Sequence, residues 1–224
     1  MTRTTTHGFS AEALALLDAL GGYDKAEFTA QKAPYTQLIA EPTKALVSAL
    51  LPRLQDAISP DITGAAKTNG SIAPINNDLR FSPDKSPYKD HIMLRFWQGA
   101  PKKLAPTLRV RMGATEIGFA TGVGFDAAGL AGFRARVAGP EGEVFDALVA
   151  KLSAKHAIDI GGPTLKRVPK EWPADHPRGR WLTYNKGLQF RWPEPLPVGA
   201  DGIAGADLVA LCVARLQDCA EIHR

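Results

Sequence analysis

Cysteine is scarce in this chain, with Cys212 and Cys219 the two among 224 residues. They lie seven positions apart in a stretch with helical spacing, too few and too local for a disulfide framework, which points to a reducing compartment. Long apolar runs are missing as well. No segment approaches the length of a membrane span, and the opening Met1-Thr2-Arg3-Thr4-Thr5-Thr6-His7-Gly8 lacks the apolar core of a secretion signal. A cytoplasmic protein without a membrane partner is therefore expected, with a short disordered tail over residues 1–8. Strong charge of one sign is also absent. Lys plus Arg exceed Asp plus Glu by only 27 to 23, and a net charge of +4 falls well short of a dedicated nucleic-acid module. There is no Walker A loop, no complete dinucleotide glycine fingerprint, no paired-cysteine zinc spacing and no His-Glu-x-x-His. Gly122-Val123-Gly124 alone reads as a turn before a helix. The scattered histidines and the cysteines on an apolar helix face supply neither a metal site nor a reactive thiol.

What is present is enough for a core: 45% of the residues are hydrophobic and 22% charged, which suits one large domain over residues 9–224. From Pro42 to Ile58, a proline start is followed by Leu46, Val47, Leu50, Leu51 and Leu54 at helical spacing, making one buried face. Asp126 is an N-cap for a helix carrying Leu130, Phe133 and Val137. Gly139-Pro140-Glu141 opens another helix, with Phe145, Leu148, Val149 and Leu152 as its stripe and Lys151 and Lys155 in its last turn. A final helix from about Ala206 to Ile222 buries Leu208, Cys212, Leu216 and Cys219. The middle of the chain alternates instead. Ile92, Leu94 and Phe96 oppose His91, Met93, Arg95 and Trp97, and Leu108, Val110 and Met112 oppose Arg109 and Arg111. Gly113-Ala114 makes a tight hairpin into a strand with Ile117 and Phe119, and a later strand spans Lys186 to Trp192. Trp192-Pro193-Glu194-Pro195-Leu196-Pro197 then reads as a surface linker, because proline cannot donate within a central strand. The fold class that follows is α+β: an antiparallel meander packed with helices from the N-terminal, central and C-terminal segments.

Charge is densest between Asn76 and His91. Asp78, Arg80, Asp84, Lys85, Lys89 and Asp90 lie there with Phe81 and Tyr88, and Pro83 and Pro87 stiffen the backbone. Ser82-Pro83-Asp84-Lys85 suits a type I turn. If Asn77 to Phe81 is extended, Asp78 and Arg80 share one face while Leu79 and Phe81 anchor the other. One reading makes Arg80, Lys85 and Lys89 an anion anchor, with Asp78, Asp84 or Tyr88 as acid or base. The other pairs these charges with one another, since acids and bases balance in the window.

The run Asp78-Leu79-Arg80-Phe81-Ser82-Pro83-Asp84-Lys85-Ser86-Pro87-Tyr88-Lys89 resembles the hallmark of an uncharacterised family of bacterial and fungal proteins, a domain of unknown function. Phe28, Lys32, Tyr35 and Pro42 resemble its N-terminal pattern. Leu165-Lys166-Arg167-Val168-Pro169, Asp175-His176-Pro177 and Lys186-Gly187-Leu188 resemble its C-terminal block. Two arginines that usually precede the Asp of the hallmark are replaced here by Pro74 and Asn77, which removes two potential cations. The resemblance implies no substrate, cofactor or catalytic residue.

A second patch is the polar side of the meander, where Arg95, Arg109 and Arg111 fall beside His91, with Lys102 and Lys103 in the intervening loop. Such a face binds phosphates or single-stranded nucleic acid, particularly with Trp97 as a stacking surface, or else is simply a solvated sheet face. Asp175 and His176 read as a turn cap or as a general base. Three functions follow. The first is a binding domain or enzyme for a small phosphate- or carboxylate-bearing molecule. It uses Asp78, Arg80, Asp84, Lys85, Lys89, Arg109 and Arg111, with Tyr88 or His176 as proton carrier. The second is a nucleic-acid-binding module on the arginine face. The third is a scaffold or interaction protein whose loop is structural.

Overall fold

The computed structural model describes residues 8–80, 86–99 and 104–223. The expected disordered tail therefore lies outside the described residues except for Gly8. Immediately after it, β1 (Phe9–Ser10) leads into α1 (Ala11–Ala19), which Ser10 caps by accepting a hydrogen bond from the Ala13 amide at 3.1 Å. A capping box of Asp24 and Glu27 starts α2 (Lys25–Ala30). The chain continues through α3 (Lys32–Tyr35) and one wide π turn (Thr36–Ala40) into α4 (Glu41–Ala57). The wide turn places Pro42, which has no amide proton to donate, at the start of α4.

Six strands form an antiparallel sheet in the order β2-β3-β4-β5-β7-β6. They are β2 (Ile62–Thr63), β3 (Ile92–Gln98), β4 (Thr107–Met112), β5 (Glu116–Gly124), β6 (Asp159–Gly161) and β7 (Gly187–Pro195). The remaining helices are α5 (Ala127–Ala138), α6 (Glu141–Lys155), α7 (Gly179–Leu182) and α8 (Gly205–Ala220), and β8 (Gly202–Ile203) pairs with β1. Asp126 caps α5, its carboxylate accepting from the Gly129 amide at 2.8 Å.

The inward side chains of the strands all take one face. Ile92, Leu94, Phe96, Leu108, Val110, Met112, Ile117 and Phe119 pack there with α1, α4 and α8 through Leu17, Leu50, Leu54, Leu208, Cys212 and Leu216. Leu188 and Phe190 of β7 continue the same face into a second cluster with Val137, Val149 and Trp181. Each fully buried Leu or Phe contributes about 1.5–3 kcal/mol by leaving water, so this face carries the stability of the domain. Burial pushes the Cys212 thiol up to about 12 and raises that of Cys219 as well, so both act as small apolar core residues. No helix among the described residues is long and apolar enough to cross a membrane.

Two expectations are corrected. Gly122-Val123-Gly124 is not a turn but the end of β5. A Cβ on Gly122 would sit 2.6 Å from the Leu188 carbonyl oxygen of β7, so the close approach of these strands requires glycine. The proline-rich segment is not a linker from Trp192 onward, because β7 runs through Pro195. The Leu196 amide donates to the Thr115 carbonyl at 2.9 Å, so the even positions of β7 point their amides at β5 and the odd positions point away. Pro193 and Pro195 are odd, and the β6 ladder ends at Arg191. Their missing donors therefore face an open edge, where proline costs nothing.

Candidate functional site

The face of the sheet opposite the core is built from the alternate residues, and strand register turns them into rows. Arg95 of β3 stands opposite Arg109 of β4, Arg109 opposite Ala120 of β5, Ala120 opposite Arg191 of β7, and Arg191 opposite Asp159 of β6. Strands lie about 4.8 Å apart, so Arg95 and Arg109 are direct neighbours and Arg191 is about 10 Å beyond Arg109. The adjoining row holds Met93, Arg111, Gly118 and Pro193, and the next one Trp97, Thr107, Gly122, Gln189 and Gly161. Small residues make room for the long ones. A Cβ on Gly122 would come 3.2 Å from a terminal nitrogen of Arg109, and one on Gly161 would come 3.7 Å from a terminal nitrogen of Arg191. Both guanidinium groups thus lie over glycine.

The cations of this face differ in their partners. Arg191 donates through Nε to Asp159 at 2.6 Å. Arg111 lies 3.5 Å from Asp90 and 3.6 Å from Glu116. Arg109 has no carboxylate within ion-pair distance among the described residues, and its Nε is buried without a hydrogen-bond partner. Burial holds its pKa below the usual value, and the like charges of Arg95 and Arg191 add to that, against a small opposing contribution from Cys219. Placing cations directly opposite one another on a sheet destabilises it unless an anion intervenes.

At the end of the face, His91 and Asp90 precede β3. Asp90 Oδ1 lies 2.7 Å from His91 Nδ1, and an Arg111 terminal nitrogen lies 3.2 Å from the same Nδ1. One ring nitrogen cannot donate to a carboxylate and accept from a guanidinium together. The shorter contact decides, and Nδ1 carries the proton and donates to Asp90. The hydrogen bond from His91 holds Asp90 below the usual carboxylate range, outweighing its burial, with the charges of His91 and Arg111 adding to it. Burial lowers the His91 pKa, helped by Arg111 and Lys89, and this outweighs the hydrogen bond and charge of Asp90.

Among the described residues of the charged loop, Asp78, Arg80 and Lys89 find their partners within it. Arg80 binds Asp78 with both ends of its fork, at 2.9 and 2.7 Å, and both side chains are exposed. Lys89 donates to the main-chain carbonyls of Pro74 and Asn76, and burial lowers its pKa. Asn77 donates to the carbonyls of Ser86 and Tyr88 at 2.9 and 3.0 Å and so staples the two sides of the loop. Tyr88 is 6% exposed and stacks on Phe28 with ring centroids 4.2 Å apart. Leu79 is exposed rather than anchored in the core. Asp84 and Lys85 lie outside the described residues, as do Phe81, the turn drawn through Ser82 and Pro83, and Lys102 and Lys103. His176 Nδ1 accepts from the Arg178 amide at 3.1 Å in the turn before α7. Arg191 is an addition to the residues singled out from sequence, and so is the pairing of Asp90 with His91, which the sequence placed in two separate patches. Arg191 alternates with Phe190 and Trp192 and was legible as outward-facing, but its place in a row with Arg109 was not.

An α+β domain whose outer sheet face carries a set of arginines is the class these features define. The chain belongs to the family of conserved hypothetical proteins DUF2461, which it matches over residues 13–191. That span covers the loop, β3 to β5, the Asp90-His91 pair and β7 as far as Arg191. Comparison with curated proteins gives no match.

Proposed function

We propose that this protein binds a phosphate- or carboxylate-bearing small molecule on the outer face of its sheet, with Arg109 at the centre and Arg95, Arg111 and Arg191 around it. The observation that carries this reading is Arg109, a half-buried guanidinium with a buried Nε and no carboxylate among the described residues. An unpaired charge in that position costs folding free energy, and a bound oxyanion offsets the cost while accepting from the planar fork. Arg80 and Lys89, the described cations of the loop, already have internal partners, which favours the face over them. The test is thermal stabilisation by inorganic phosphate and by citrate. The melting temperature of the wild-type protein and of Arg80→Ala rises with added anion, while Arg109→Ala does not respond. An equal response in Arg109→Ala and wild type moves the site off this face.

Single-stranded nucleic acid is the second reading, favoured by Trp97, which stands in the row beside Arg95 and Arg109. It predicts oligonucleotide binding that weakens steeply with salt. The modest net charge of +4 favours the small anion. Failure of both tests leaves a scaffold or interaction protein.

A further inference from the structure

The charge of this chain is unevenly spread. Residues 163–180, which follow β6 and run into α7, hold five cations against two acids and so carry +3 of the net +4. Arg178 is spent inside the fold, donating to the carbonyls of Val137, Ala138 and Gly139 at 2.6, 2.9 and 3.1 Å. Lys166, Arg167, Lys170 and Arg180 are exposed, and none of the four has a carboxylate at ion-pair distance among the described residues. Lys155, Arg191 and Arg215, by contrast, hold carboxylates at 2.7, 2.6 and 2.9 Å. We propose that this segment docks the phosphate backbone of duplex nucleic acid through Lys166, Arg167, Lys170 and Arg180. It uses none of the sheet-face arginines and is independent of the anion-binding reading.

The segment is folded so that these charges are held together. A bridge between Thr164 and Tyr184 closes its base, where the Leu165 amide donates to the Thr183 carbonyl at 2.8 Å and the Asn185 amide to the Pro163 carbonyl at 3.1 Å. Three turns follow, in which the amides of Trp172, His176 and Gly179 donate to the carbonyls of Pro169, Pro173 and His176 at 3.1, 3.1 and 2.8 Å. Val168 packs on Gly179, where a Cβ would sit 3.0 Å from its Cγ2, and that contact brings the stretch from Lys166 to Lys170 alongside Arg180. Arg180 rests over the Trp181 ring with Cζ 4.0 Å from the centroid, which supports the guanidinium while the residue stays exposed. Pro163, Pro169, Pro173 and Pro177 restrict the chain before it binds, so little ordering is left to oppose association.

What the surface lacks selects its occupant. Trp172 and Trp181 pack with the second core cluster, so neither indole is a stacking platform of the kind single strands use. Leu165, 40% exposed, is the one large apolar side chain exposed in the segment, too little for the centre of a protein interface or for anchorage in a lipid surface. Cations without an apolar centre match a polyphosphate. Lys166 to Lys170 spans at most about 14 Å, a length over which a DNA duplex presents about eight phosphates. Contact with them releases condensed counterions and needs no base sequence.

The experiment follows the fluorescence anisotropy of labelled DNA and RNA duplexes of about 20 base pairs between about 0.05 and 0.3 M NaCl, long enough to cover the loop. The wild type is expected to bind at least one duplex with a Kd of about 1–100 µM at about 0.15 M NaCl, and log affinity to fall against log salt with a slope of about −3.6 for four phosphates. The preferred duplex names the source of the backbone. Lys166→Gln/Arg167→Gln and Lys170→Gln/Arg180→Gln each weaken binding about tenfold or more and flatten the slope by about 1.8, with melting temperatures that show both variants fold. Lys44→Gln, which removes an exposed cation paired with Glu41 on α4, leaves the slope in place. No binding of either duplex at about 0.05 M NaCl, or one slope shared by the wild type and both loop variants, overturns the inference. Binding lost in Arg109→Ala but kept in both loop variants also overturns it and moves the contact to the sheet face. Vesicles of phosphatidylserine bound through these four residues more tightly than either duplex overturn it in favour of a lipid headgroup surface. The response of Arg109→Ala to phosphate and citrate is read separately, so failure here leaves the anion-binding reading untouched.

Discussion

Replacing Arg109 by methionine removes the charge, keeps most of the unbranched stem and asks whether Arg109 costs the fold stability. Two like charges about 5 Å apart, the spacing of directly opposite residues, repel by about 0.8–3.3 kcal/mol for an effective dielectric between 80 and 20. Arg95 stands directly opposite Arg109, whereas Arg191 lies two strands away, so the first repulsion is the larger. Relief of the half-buried charge adds to it, and lost contacts of the guanidinium subtract. A net gain of about 1 kcal/mol is expected for Arg109→Met, which for a domain of this size raises the melting temperature by about 2–4 °C. The assay is calorimetry without added anion at about 0.02 M and about 0.5 M NaCl, because salt screens the repulsion and should shrink the difference. The same variant should lose the phosphate response, which for a ligand at ten times its Kd is about 1.4 kcal/mol in the wild type. An Arg109→Met protein that melts several degrees below the wild type at both salt concentrations refutes the reasoning. Arg109 would then hold a favourable structural contact instead of an unmet charge.

Asp218 gives a prediction with a pH window. Burial raises its pKa, but hydrogen bonds from Lys155 at 2.7 Å and His156 at 3.0 Å, with their charges, outweigh this and leave it below the usual value. A carboxylate depressed in the fold stabilises it above the unfolded pKa of about 3.9 and loses that contribution as pH falls through the folded value. Asp218→Asn should therefore melt below the wild type at pH 7, with the gap closing below about pH 4 in thermal scans across pH. Arg80→Ala should shift the melting temperature by no more than about 1 °C, since its bidentate partner Asp78 is exposed and surface pairs contribute little. A large drop would mean that the pair pins the loop.

The short-range periodicities were legible because they are local. Apolar residues three and four apart marked α4 and α8, and alternation marked β3 and β4, since burial of one face is written into consecutive residues. Asp126 could be read as a cap because its partner is the Gly129 amide, three residues on. The prolines of β7 could not, because whether proline is tolerated depends on which edge has a neighbour, and β6 comes from another part of the chain. The two possible readings of the charged loop were both open in the sequence, and only the fold turned Arg80 onto Asp78 and Lys89 onto the carbonyls of Pro74 and Asn76. The same holds for the site. Sequence alone determined that Arg95, Arg109, Arg111 and Arg191 face away from the core. Tertiary structure decided that Arg95 and Arg109 stand opposite, that Gly122 leaves room beneath a guanidinium, and that Arg111 meets His91. Side-chain direction follows from the residues on either side, whereas register between strands is fixed only when the whole sheet closes over its core.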